Sequence, residues 1–185
     1  AEGILKQAEE RAAELYGSEE THYLVNGSTS GILAAISGCT AAGGTVLLAR
    51  NSHKSAYHAV LLRVLHVHYI YPQPAGKMGI NGPVTAENVD RLLEEHPETK
   101  MVYITSPTYD GVVSDVEQIA EVVHRRKLPL IVDEAHGAHF PFSEQFPKDS
   151  VSCGADVVIH SVHKTLPSLT QTALIHLNGD LINRE

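Results

Sequence analysis

No apolar run in this 185-residue chain approaches the ~18 residues a helical membrane span needs, so a soluble protein is expected. Cysteine is scarce: Cys39 and Cys153 are the only two, and no CxxC spacing joins them. A disulfide framework or a cysteine metal site is therefore not expected, and two buried reduced thiols in a cytoplasmic setting are. Positive charge is also short. The net charge is -8 and the basic residues are scattered, which argues against a nucleic-acid partner and leaves small molecules. With 43% hydrophobic and 19% charged residues, the composition is not that of a disordered chain. GxGxxG and GxxxxGK[ST] are both missing, so neither a dinucleotide fingerprint nor a P-loop is present. The first residues lack both an initiator methionine and the apolar core of a signal peptide, and the last lack a cap or a Gly/Pro break. Both ends read as cuts within a longer protein.

What is present is an alternation of short β-rich runs with longer helical patterns, the pattern of βαβ units. Seven strands are predicted, at Thr21 to Val25, Thr45 to Ala49, His66 to Tyr71, Met101 to Thr105, Leu128 to Asp133, Asp156 to His160 and Thr172 to Leu177. Several are unbroken apolar runs, as expected for a sheet covered on both faces. The fold class predicted is α/β, with three α/β/α layers around a mostly parallel seven-stranded sheet. Helices are expected over Ala1 to Leu15, ended by Gly17, after the Asn26 turn, from a Thr85 cap, and over Asp115 to Arg126. The long irregular stretch from Gly137 to Val151, with Pro141 and Pro147, is expected to lie over the functional site.

Four motifs fall at strand ends, where open α/β folds place ligands. Asn26-Gly27-Ser28-Thr29-Ser30-Gly31 offers hydroxyls and backbone N–H groups at a helix start, a setting that suits phosphate but also suits an ordinary cap. Asn51-Ser52-His53-Lys54-Ser55 provides an imidazole that can stack on an aromatic ring, with Lys54 read as a surface charge. Val132-Asp133-Glu134-Ala135-His136 ends a strand with an acid able to pair with a pyridine nitrogen. Ala135 is small enough for a ring to lie over it, and His136 can orient a substrate. Ser161-Val162-His163-Lys164 then places a lysine just past a buried strand, where desolvation would make its amine nucleophilic. Together they suit pyridoxal phosphate, with Lys164 as the Schiff-base lysine. A metal reading through Asp133, His136 and His139 has no established ligand spacing, and no metal is expected.

Ser161-x-His163-Lys164 followed by Gln171-Thr172-Ala173, with Ser106-Pro107-Thr108-Tyr109-Asp110-Gly111, resembles the large domain of the bacterial ornithine/lysine/arginine decarboxylases. The resemblance spans nearly the whole chain. It implies a pyridoxal phosphate-dependent transferase-like fold (fold type I), a small carboxyl-terminal domain beyond this chain, and homodimers or higher oligomers. It further implies that Ser28, Thr29 and Ser161 contact phosphate and that Gly27 leaves room for it. His53 would stack on the ring, Asp133 pair with its nitrogen, and His163 sit beside the lysine. The implied reaction is decarboxylation of arginine, lysine or ornithine to carbon dioxide and an amine of polyamine metabolism. Pro167 and Ile159 depart from the family's preference for small residues. An α-oxoamine synthase, an aminotransferase, an aldol-type lyase and an inactive fragment are the alternatives, the first because Asp-Glu-Ala-His-Gly also occurs there.

Overall fold

The computed structural model describes residues 3–76 and 79–184. Along the chain run α1 (Ile4–Tyr16), β1 (Glu20–Leu24), α2 (Gly27–Cys39), β2 (Thr45–Ala49), α3 (Lys54–Arg63), β3 (His66–Ile70) and α4 (Ala86–Glu95). They continue as β4 (Thr99–Thr105), α5 (Val116–His124), β5 (Leu130–Asp133), β6 (Val157–Ser161), α6 (Val162–Thr165) and β7 (Ala173–Leu177). All seven predicted strands form. The strands make one sheet in the order β1-β7-β6-β5-β4-β2-β3. Pairing is parallel from β3 through β6, while β7 runs antiparallel to both β6 and β1.

Successive strand residues point to opposite faces, and both faces are buried. Ile131 and Ile159 join Ile32 and Ile36 of α2 and Ala56 and Ala59 of α3 in one core. Their neighbours Val132 and Val158 pack on the other face with Val89 and Leu93 of α4 and Ile119 and Val123 of α5. Tyr16 of α1 also covers this second face, its ring 4.9 Å from that of His160 and 4.6 Å from that of His176. The predicted three layers are present. The order in which strands are added reverses between β2 and β4, because β3 lies outside β2 and the chain then crosses back to β4. Loops leaving β2 and β4 therefore diverge and open a crevice at the carboxyl edge of the sheet.

Local signals explain the helix ends. Gly17 takes the left-handed conformation, φ 69°, and closes α1 with N–H bonds to the carbonyls of Ala13 and Glu14. Thr85 caps α4 by accepting from the Asn88 N–H, and Asp115 caps α5 by accepting from that of Gln118. Ala1 and Glu2 of the predicted first helix lie outside the described residues.

Three expectations are corrected. Helix α3 was not predicted, because its apolar residues run on without a stripe and leave Leu61 and Leu62 exposed. The stretch from Gly137 to Val151 lines no part of the carboxyl-edge cavity. It packs on α1 instead, where the Tyr16 hydroxyl donates to the Ala138 carbonyl and the Phe142 ring meets Tyr16 edge-on. The two cysteines are free but only partly buried, and burial pushes the Cys39 thiol up to about 12 and that of Cys153 to about 11. Among the described residues no helix is long and apolar enough to cross a membrane.

Candidate active site

The crevice holds a cavity of about 480 Å³, within the range of small-molecule sites. Asp133 and Ala135 from the end of β5, with Thr105 from β4, form its floor, and Ser28 and Ile32 of α2 form one wall. Asn51 and His53 close another wall, and Tyr109, His136 and Lys164 complete the lining. Six residues singled out in the sequence, Ser28, His53, Asp133, Ala135, His136 and Lys164, thus meet in one place although up to 136 positions separate them.

Asp133 is 3% exposed. Its carboxylate accepts from the Tyr103 hydroxyl at 3.2 Å and from the Ala135 N–H at 3.2 Å. Burial raises its pKa, while the Ala135 N–H, the Lys164 charge, the Tyr103 hydroxyl and His53 pull the other way. Tyr103 was not anticipated as part of the site. It lies within an apolar strand run, and its only signal was a buried hydroxyl in need of a partner.

His53 serves two ends. As N-cap of α3 its Nδ1 accepts from the Ser55 N–H and lies 2.6 Å from the Ser55 hydroxyl, which fixes the ring's orientation at the cavity wall. Burial lowers its pKa, and the Lys164 charge adds to this against the opposing pull of Asp133, so the neutral imidazole is favoured. The His136 pKa is lowered by burial and then by Lys164 and His53. Its ring meets that of Tyr109 edge-on at 5.8 Å.

Helix α2 presents its amino end beside the cavity. Asn26 makes no side-chain cap there, in contrast to the capped α3, α4 and α5. The first-turn N–H groups are thus left for an anion. Ser161 donates to the Ser28 hydroxyl at 2.8 Å from behind the lining, tying β6 to α2. Gly27 is buried with φ 69°, a backbone that L side chains rarely adopt. A Cβ on Gly27 would meet Gln171 only at ordinary contact, 3.7 Å, so this conformation rather than crowding calls for glycine.

Some predicted members stand apart. Thr29 is exposed and outside the lining. His163 also lies outside it, and its Nδ1 is 3.1 Å from the Thr172 carbonyl. Lys164 lines the cavity but is exposed, which corrects the expectation of a buried, desolvated amine: its one-turn helix α6 contains no buried residue. Among the described residues Asp133, His136 and His139 do not converge as metal ligands, and His139 packs edge-on against Phe140 and Phe146.

The residues present fit pyridoxal phosphate. The Asn51 Oδ1 and His136 Nδ1 atoms in the lining are buried and unpartnered, the α2 amino end is uncapped, and a buried acid and an amine line the same cavity. The chain is 42% identical over 184 residues to protein YaaO of Bacillus subtilis, covering 99% of this chain and 38% of that protein. It is 34% identical over 183 residues to an arginine decarboxylase of the same species, covering 99% and 37% respectively. The solved lysine decarboxylase A from Pseudomonas aeruginosa superposes with a TM-score of 0.84 at 25% identity, over 96% of this chain and 26% of that one. The chain therefore spans under two-fifths of the length of these curated relatives. The family model for the major domain of Orn/Lys/Arg decarboxylases matches residues 1–185, and the chain belongs to that family.

Proposed function

We propose that residues 1–185 form the large, cofactor-binding domain of a pyridoxal phosphate-dependent carboxy-lyase that decarboxylates a basic amino acid. The observation that carries this reading is the placement of Asp133 and Lys164 in one cavity beside the uncapped end of α2. Pyridoxal 5'-phosphate supplies an electron sink for the pair left behind when a carboxylate departs as carbon dioxide. Asp133 holds a proton on the ring nitrogen by charge pairing, and a positive nitrogen there offsets the burial that raises the acid's pKa. Lys164 is the amine that carries the cofactor. His53, oriented by Ser55, would stack on the cofactor ring, and the small Ala135 would leave room for it. Ser28 and the α2 amino end take the phosphate, with Ser161 behind Ser28 and Thr29 and Gly27 shaping the turn. His136, in the lining, would orient the substrate, and His163, held outside the lining at the Thr172 carbonyl, sits beside the lysine.

The substrate is arginine, lysine or ornithine and the product the corresponding amine, in keeping with the arginine decarboxylase among the relatives. The enzyme works as a homodimer or higher oligomer in the cytoplasm, a setting that suits two unpaired thiols. Reconstitution tests the reading. Added pyridoxal phosphate gives the wild-type chain a visible, borohydride-reducible chromophore that Lys164→Ala lacks, and the longer protein releases carbon dioxide from a basic amino acid without an acyl thioester. A chromophore unchanged in Lys164→Ala contradicts the assignment.

A further inference from the structure

Immediately behind the cavity lies a polar chain that its chemistry does not use. Glu134 follows Asp133 and His160 precedes Ser161, so strand alternation sends both side chains to the sheet face opposite the cavity. There the Glu134 carboxylate meets His160 Nε2 at 2.7 Å, with side chains 2% and 0% exposed. His160 Nδ1 lies 2.9 Å from His176 Nε2 on β7, and His176 Nδ1 lies 2.8 Å from the Thr21 hydroxyl on β1. Thr21 in turn is 2.7 Å from the Ser18 hydroxyl. Three neighbouring strands and the end of a fourth, β5, are thereby cross-linked by side chains. The Ser150 N–H and hydroxyl also donate to the same Glu134 carboxylate, at 3.1 and 2.8 Å.

Stability alone is a poor reason for such a chain. A buried ion-forming pair is commonly no more stabilising than well-packed apolar residues of similar volume, and the same-face neighbours Val132, Val158 and Leu174 are apolar. What the pair joins is more telling: the strand end bearing Asp133 and the strand end that leads through Ser161 to Lys164, locked where the Glu134 N–H donates to the Ile159 carbonyl at 3.0 Å. We propose that Glu134 and His160 are positioning residues that set the spacing of Asp133 and Lys164 across the cofactor cavity. The inference rests on the pyridoxal phosphate reading above.

The bonds also have a direction. With Glu134 ionised, each link carries one hydrogen if His160 and His176 are both protonated on Nε2 and the Thr21 hydroxyl donates to His176. A proton on Glu134 that donates to His160 moves the hydrogen of both imidazoles to Nδ1 and turns the Thr21 hydroxyl around. The groups facing Glu134 are His160 from β6, Ser150, Asp149 and His139 from the stretch after β5, and Tyr16 from α1. A change of charge on Glu134 is thus transmitted along strands that frame the site.

The test is the pH midpoint of the visible chromophore in the pyridoxal phosphate-loaded chain, read with the thermal midpoint, for wild type, Glu134→Gln, His160→Asn and Val158→Ala. Val158→Ala removes packing from the same strand face and leaves the polar pair intact, so it lowers the thermal midpoint without moving the chromophore. Both Glu134→Gln and His160→Asn are expected to move the chromophore midpoint by about one pH unit. Midpoints unchanged in both variants overturn the proposal, as does a shift in Glu134→Gln alone, which assigns the effect to charge. Should Glu134→Gln fail to fold, His160→Asn decides, and should His160→Asn fail to fold, His160→Gln takes its place. A wild-type chain with no Lys164-dependent chromophore overturns the cofactor reading, and this proposal with it.

Discussion

Asp133 and Glu134 are adjacent, both carboxylates and both almost fully buried, yet they meet different surroundings because a strand turns successive side chains to opposite faces. Asp133 faces a cavity, with two hydrogen-bond donors and open space beyond them. Glu134 faces packed protein, its oxygens taken by Ser150 and His160. Burial raises both pKa values, that of Glu134 to about 8. The difference lies in what remains to be satisfied: the cavity acid has room for a cationic ligand, and the inner acid is already committed to neighbouring elements. Function follows the alternation of the strand rather than residue type.

Changing the cavity acid should give the largest effect on function and almost none on folding. Asp133→Asn is expected to lower turnover of the cofactor-loaded longer protein about a thousandfold, a loss of ~4 kcal/mol of transition-state stabilisation, with the thermal midpoint of the chain unchanged or higher. Steady-state kinetics and a melting curve check both halves. Glu134→Leu should reverse that pattern on stability, because it strands His160 and Ser150. The expected loss is about 1–3 kcal/mol, seen as a drop of ~2–4 °C in Tm for each kcal/mol.

The pH dependence of stability separates the partners within the inner chain. The buried, neutral His160 has its pKa lowered from 6.5 to about 3, so its contribution is complete above 6.5 and lost as the pH falls through 3. Glu134, raised from 4.5 to about 8, contributes fully below 4.5 and loses that contribution as the pH rises through 8. Below 4.5 the histidine dominates the slope, and from 6.5 to 8 the acid does. Melting curves across this range should show stability falling at both ends, and Glu134→Gln should remove the alkaline fall while leaving the acid one. The smallest effect belongs to Thr29→Ala. Its side chain is exposed and outside the lining, so calorimetric affinity for pyridoxal phosphate should change by less than about 0.5 kcal/mol, whereas Ser28→Ala should weaken it measurably.

The cavity face was largely legible in the sequence, for a physical reason. Asp133, His53, Ser28 and Lys164 fall just where apolar runs end, and parallel strands bring such ends to one edge. The inner chain was not legible. Glu134, His160 and His176 interrupt apolar segments singly, and the pairing of His160 with Glu134 depends on a β5–β6 register that no local pattern states. Tyr103 was hidden likewise, since its hydroxyl matters only once β4 lies beside β5. Helix α3 escaped because its leucines face outward, and the stretch after Gly137 was misplaced because length alone does not say which face a loop covers.

The most direct test of the account is the absorbance of the chain after addition of pyridoxal phosphate, with and without borohydride, in wild type and Lys164→Ala. A visible band present in wild type, trapped by borohydride on a peptide containing Lys164 and absent from the variant is the expected result. A band of equal strength in Lys164→Ala, or a reduced cofactor on Lys54, would contradict the claim that the carboxyl-edge cavity is a pyridoxal phosphate site.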